Sequence, residues 1–127
     1  MNLKSYLRTF LRYIPSVIII SISWYLSSQE HVEQMPSFWN ADKVVHFVCF
    51  GGLCMWLSFA CRTKSFSKMW IPVLITSTYG IIDEIHQSFV PGRSCSIFDW
   101  IADTGGAILG ALMFIAIPKL IQNRKKS

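Results

Sequence analysis

The sequence predicts an all-α integral membrane protein, a four-helix bundle with both termini in the cytoplasm. Hydrophobic residues make up 52% of the 127 residues and charged residues only 15%, whereas soluble domains carry about 25% charged residues. The apolar residues gather in four segments, each close to the ~20 residues that cross a bilayer as a helix. The basic residues also fall in a pattern that fixes one orientation.

The four predicted spans cover residues 10–27, 44–61, 69–90 and 97–121 of a single domain, residues 1–127. The last third of the third segment is polar. The first segment could instead be a signal peptide, because Lys4, Arg8 and Arg12 form a basic region before it. No small-x-small cleavage site follows, and cleavage would leave an odd number of spans. We therefore expect the segment to be retained.

The orientation follows from the connections between spans. Ten of the twelve basic residues lie at the two termini or between the second and third segments. The positive-inside rule makes that side cytoplasmic. Because topology explains the positive charge, the sequence does not indicate a nucleic-acid partner. The lipid bilayer is the predicted partner, and the oligomeric state is not determined.

The four cysteines form no CxxC pair, and three lie within the second segment. A zinc site would require clustered ligands, and a disulfide would require at least two cysteines on an oxidising side of the membrane. This pattern favours cysteines as small apolar fillers in a helix.

Polar residues from three predicted helices fall at two depths near the outer surface, counting ~1.5 Å per residue from the basic ends. The lower level holds His46, Asp83 or Glu84, and Asp103; the upper level holds Asp42, Gln87 and Asp99. Each pair spaced i,i+4 occupies one helix face. The face that bears Asp99 and Asp103 continues through Gly106 and Gly110, a small-xxx-small seam for close helix packing.

Two interpretations of this polar cluster remain open. It could be a structural network that fixes helix packing, or an outward-facing pocket for a polar ligand. In the second case His46, Glu84 and Asp99 are the candidate catalytic residues, with His46 and a nearby acid as general base or nucleophile. The candidate binding residues are Asp42, Lys43, Asp83, Gln87, Arg93 and Asp103. Among these, Arg93 and Lys43 are suited to a phosphate or carboxylate.

Metal binding by His46 with Asp83, Glu84 and Asp103 is a weaker alternative, because the spacing is loose and no HExxH-like motif is present. We therefore assign no metal and no cofactor from the sequence. Proton-coupled transport is also disfavoured, because the polar groups lie only near the outer side.

Two motifs resemble the VanZ-like family of membrane proteins. The segment DKVVHFVCFGGL resembles its D-K-x-x-H motif, and EIHQSFVPGRSCSIFDWIADTGGAILG resembles E-x-x-Q-x-F-x-P-G-R followed by an Asp and a G-x-x-x-G helix. The match extends from Asp42 to Gly110. Asp103 stands where the family usually has Asn, and Phe50 where a Tyr is common.

The resemblance implies a bacterial plasma-membrane protein of a family associated with resistance to glycopeptide antibiotics such as teicoplanin. It implies no reaction, and whether the protein is an enzyme stays open. Together with the predicted pocket, it suggests a protein that binds or modifies an outer-leaflet envelope lipid or a lipid-linked, phosphate-bearing cell-wall precursor. The alternative is a non-catalytic module whose polar network stabilises the bundle or docks a cell-envelope partner.

Overall fold

The computed structural model describes residues 2–31 and 35–126, and within them the chain forms four α-helices. These are α1 (Leu3–Ser27), α2 (Ala41–Ala60), α3 (Trp70–Gln87) and α4 (Ile97–Lys126), with a short 3-10 turn at Phe66–Lys68 before α3. The all-α prediction is confirmed.

Among the described residues, the three helices α1, α2 and α4 are long and apolar enough to cross a membrane by length and composition. Helix α3, predicted as the third of four spans, is not among them. The polar residues Asp83, Glu84 and Gln87 at its end lower its mean hydropathy. The bundle accommodates these side chains because they are buried in its interior rather than exposed on its outer face. The cytoplasmic location of the termini stays a prediction.

The helices differ from the predicted spans mainly at their ends. Helix α1 begins well before residue 10, because the Asn2 side chain accepts a hydrogen bond from the Ser5 amide at 3.0 Å and caps the helix. Helix α2 begins at Ala41, so that the whole D-K-x-x-H motif is helical. Helix α3 ends earlier than predicted, at Gln87, and α4 continues to Lys126.

Helices α2 and α4 form the closest pair of the bundle. Gly106 lies directly against the backbone of Phe47, and Gly110 against that of Gly51, so that a Cβ atom at either glycine would overlap a carbonyl group of α2. The predicted small-residue seam is therefore present. It brings the two backbones together just below the polar residues.

Buried apolar side chains form a core cluster below the polar residues. It contains Cys54, Met69, Val73, Ala107, Ala111 and Ile115. The fully buried Cys54 acts as the filler that the sequence predicts, whereas Cys95 is exposed in the connection between α3 and α4. Many large apolar side chains on the outer faces are exposed, such as Ile18, Val48 and Leu74. An apolar exterior of this kind is suited to lipid.

Candidate functional site

Four carboxylates are buried at one end of the bundle. Asp83 and Glu84 belong to α3, and Asp99 and Asp103 belong to the first two turns of α4. Their exposed fractions are 1%, 3%, 6% and 0% in that order. Acidic residues are almost never fully buried unless they are paired. Their partners therefore define the site.

His46 of α2 is paired with Asp103 of α4. The ring Nδ1 lies 2.8 Å from Asp103 Oδ1, and the two side chains are 11% and 0% exposed. This bond fixes the orientation of the imidazole and leaves Nε2 as the ring nitrogen available to another group. A carboxylate that orients a histidine in this way occurs in both catalytic and metal sites.

Lys43 is paired with two acids one turn of α2 from His46. Its Nζ lies 3.0 Å from Asp42 Oδ2 and 3.2 Å from Asp99 Oδ1. Asp42 is half-exposed, whereas Asp99 is buried. Lys43 thus links α2 to the first turn of α4 and compensates part of the charge on Asp99.

Asp83 forms its hydrogen bonds on the α1 side of the bundle. Its Oδ2 accepts hydrogen bonds from the Ser27 hydroxyl at 2.8 Å and from Gln87 Nε2 at 3.0 Å. The Gln87 Oε1 in turn accepts a hydrogen bond from the Arg93 guanidinium at 3.2 Å. A continuous polar chain therefore joins α1, α3 and the loop after α3.

Glu84 faces the other way, toward α2 and α4. Its Oε2 accepts a hydrogen bond from the Ser96 backbone amide at 2.8 Å. One potential ligand atom each of His46, Glu84 and Asp99 lie within 4.8 Å of one another. The three candidate catalytic residues therefore come together in the structure from three different helices.

A tight turn presents Arg93 to the site. The Arg93 amide donates a hydrogen bond to the Val90 carbonyl at 3.1 Å, and Gly92 between them has a φ of 77°. Pro91 before a glycine with positive φ is the pattern of a type II turn. Gly92 is required because residues with a Cβ rarely adopt this conformation.

A cavity of about 180 Å³ opens between α1, α2, α3 and the loops beside them. Polar and apolar groups share its wall. The polar lining comes from Ser23, Ser27, His46, Asp83 and Arg93, and the apolar lining from Leu26, Met35, Pro36, Val45, Cys49 and Phe50. A cavity of this composition suits a ligand that has both a charged and an apolar part.

The nine residues singled out from the sequence all lie in this region, but in three groups. The first group is the ion-paired set of Asp42, Lys43 and Asp99. The second, beside it, consists of His46, Asp103 and Glu84. The third is the hydrogen-bonded chain toward α1, formed by Asp83, Gln87 and Arg93. Sequence reasoning missed Ser27 and Ser96. A serine near the outer end of the first span is the only sequence signal for Ser27, and Ser96 contributes only its backbone amide.

His86, near the end of α3, lies outside the cavity. Its ring stacks on that of Trp24, with the centroids 3.9 Å apart, and Nε2 lies 3.4 Å from the Ser28 hydroxyl. It therefore joins the ends of α3 and α1.

The fold and the site define a helical membrane protein with a buried, mainly acidic cluster near one end of its bundle. The family model described as VanZ/LLP1 matches residues 2–120, and the chain belongs to this family. Comparisons with curated proteins and with solved structures gave no match. The family assignment made from the two motifs is confirmed.

Proposed function

We propose that the protein binds or modifies a phosphate-bearing lipid of the bacterial envelope, either an outer-leaflet lipid or a lipid-linked cell-wall precursor. The site would open on the outer side of the plasma membrane, with both termini in the cytoplasm. Helix α3 would be the fourth crossing: its 18 residues span ~27 Å at ~1.5 Å per residue, close to the ~30 Å of the hydrocarbon core.

The observation that carries this proposal is that Arg93 lines the cavity with a neutral side chain as its hydrogen-bond partner. Its guanidinium lines the cavity and donates a hydrogen bond to the neutral Gln87 side chain. Among the described residues it forms no ion pair with a carboxylate. A guanidinium beside an amphipathic cavity is suited to bind a phosphate through two parallel hydrogen bonds. The apolar lining would hold the adjoining hydrocarbon.

His46 is the group best suited to acid–base chemistry in this site. Asp103 holds its Nδ1, and the same imidazole lines the cavity, so Nε2 is the nitrogen that can exchange a proton with a ligand. Glu84 and Asp99 lie close to this ring. A hydrolytic or transfer reaction would use His46 as base and Arg93 to stabilise negative charge on the phosphate.

Binding is tested with Arg93→Ala. The full chain, reconstituted in nanodiscs of phosphatidylcholine with phosphatidylglycerol, is released into a mass spectrometer under native conditions, and retained anionic lipid is quantified. Loss of a hydrogen-bonded charge pair, worth ~1.5–3 kcal/mol, should reduce retention about 10-fold or more. Arg124→Ala is the matched control, because Arg124 is exposed at the end of α4. Equal retention by both variants would contradict the proposal.

The proposed orientation is tested by thiol labelling. In a variant that keeps only the exposed Cys95, a membrane-impermeant maleimide should label intact cells, because the loop before α4 faces outward. A matched variant has Lys64→Cys in a cysteine-free background, since Lys64 is exposed in the connection between α2 and α3. It should be labelled only after the cells are lysed. The reverse pattern would overturn the orientation.

A second candidate function is a non-catalytic module, favoured by the internal hydrogen bonds that Ser27, Asp83, Gln87 and Arg93 make to one another. Such a network would fix the bundle or a docking surface for an envelope partner. Glu84→Gln and Asp99→Asn would then leave teicoplanin susceptibility of the host unchanged. An acid–base mechanism linked to resistance would not survive these substitutions.

A further inference from the structure

We propose that His46, Glu84 and Asp99 bind a divalent transition-metal ion of the Zn²⁺ or Mn²⁺ type. This proposal is independent of phosphate binding by Arg93, but it replaces the role of His46 as a base, because a ring nitrogen bound to a metal ion cannot accept a proton. The proposal departs from the expectation drawn from the sequence, which assigned no metal. It also changes the set of ligands. The weak alternative in the sequence included Asp83 and Asp103, whereas Asp83 faces α1 and Asp103 lies behind His46.

The geometry of the three side chains is close to that of a metal site. Their ligand atoms lie within 4.8 Å of one another. Ligands bound at ~2.0–2.2 Å around a tetrahedral ion lie ~3.4 Å apart. Side-chain rotations that move each ligand atom inward by about 1 Å would therefore bring the three atoms to bonding distance of one ion. One imidazole nitrogen with two carboxylate oxygens is a donor set that Zn²⁺ and Mn²⁺ accept, and it leaves positions open for water or a ligand.

Glu84 supplies an independent indication of a missing partner. The residue is only 3% exposed, and its Oε2 is held by the Ser96 amide. Its Oε1 is buried and has no hydrogen-bond partner among the described residues. An unpartnered buried carboxylate oxygen costs free energy. A cation between Glu84, His46 and Asp99 would satisfy this oxygen.

Asp103 acts on the proposed ion through His46. In metal sites the ligating imidazole usually donates its second N–H to a carboxylate, which fixes the tautomer and raises the basicity of the ligating nitrogen. The bond of 2.8 Å between His46 Nδ1 and Asp103 Oδ1 is this arrangement. It leaves Nε2 for the metal.

The excess of negative charge among the buried side chains also favours a bound cation. Four buried carboxylates share this end of the bundle, and Lys43 is the one lysine or arginine that forms an ion pair with any of them in the described part of the chain. Several unpaired charges in a low-dielectric interior are strongly unfavourable. A divalent ion adds two positive charges where the acids meet. Lys43 would then share Asp99 with the ion and keep Asp42 as its second partner.

The test is a metal titration of the full chain in detergent after treatment with a chelator, with Zn²⁺ and Mn²⁺ as separate probes. We expect one bound ion per chain, with Zn²⁺ tighter than Mn²⁺ as general affinity orders require. Glu84→Gln, which preserves shape, should abolish binding. Asp103→Asn should weaken it by about 10–100-fold, the usual effect of losing the partner of a metal-bound histidine.

The matched control is His31→Ala. His31 is an exposed histidine in the loop after α1, so this variant should bind metal as the wild type does. Circular dichroism shows whether each variant retains its helices. Wild-type protein that binds no ion, or that binds equally after Glu84→Gln, would overturn the proposal and leave protonation as the way the acids are neutralised. Lipid retention in metal-free nanodiscs tests the proposed function separately.

Discussion

Replacing Gly106 by alanine is expected to destabilise the bundle strongly. The new Cβ would overlap the Phe47 carbonyl of α2, which is backbone and cannot rotate away. The two helices must move apart, and overpacking of a close interface costs typically ~1–3 kcal/mol. Thermal unfolding of the purified protein in detergent, followed by circular dichroism, measures the loss.

Gly52→Ala is the matched control for Gly106→Ala. Gly52 lies on α2, and a Cβ there would meet no atom of the described residues within 4 Å, apart from its own helix backbone and chain neighbours. Alanine favours a helix over glycine by about 1 kcal/mol, so this variant should be as stable as the wild type or more so. Similar losses in the two variants would mean that the seam does not determine stability.

Replacing Asp103 by alanine is the second change with a large expected effect. The carboxylate is fully buried and bonded to His46 Nδ1. Removing one member of a buried pair leaves the other without its partner, at a typical cost of ~3–5 kcal/mol. Asp103→Asn should retain most of the stability, because the carboxamide oxygen can still accept from His46. Asn is also the residue that the resemblance gives as usual at this position.

Asp42→Ala is the control for Asp103→Ala, since Asp42 is half-exposed and paired with Lys43. Exposed ion pairs contribute about 0–1 kcal/mol, so little stability should be lost. The measurement is the midpoint of thermal unfolding for the three variants in one detergent. If Asp103→Ala and Asp42→Ala lower the midpoint equally, the buried pair does not stabilise the bundle.

Much of the helical arrangement follows from the sequence because it depends on periodicity. Asp99, Asp103, Gly106 and Gly110 recur every three or four residues, which puts them on one face whatever the neighbouring helices do. The prediction that this face packs closely on another helix is therefore confirmed. Mean hydropathy was a poorer guide to α3. The buried acids of this helix lower its mean hydropathy, although the helix packs inside the bundle like its neighbours.

The sequence predicted that these polar residues gather at one end of the bundle, but it did not predict which of them pair with each other. Depth along the helices left open whether Asp83 or Glu84 meets His46, since adjacent residues share a level and differ by ~100° around the axis. The packing of α1 decides this: its Ser27 hydroxyl binds Asp83, and Glu84 faces His46 and Asp99. Contacts through loops, such as the Ser96 amide on Glu84, have no periodic signal at all.

The unequal packing of the helices has a consequence for how a ligand could arrive. Helix α1 packs on α2 and touches α3 only lightly, while α2 and α4 hold each other closely. The cavity lies between α1 and α2, and its lining includes Leu26 of α1 and Val45 of α2. The lipid ligand that we propose would therefore enter sideways from the membrane. Its hydrocarbon tail would stay among neighbouring lipids while its head group reaches Arg93.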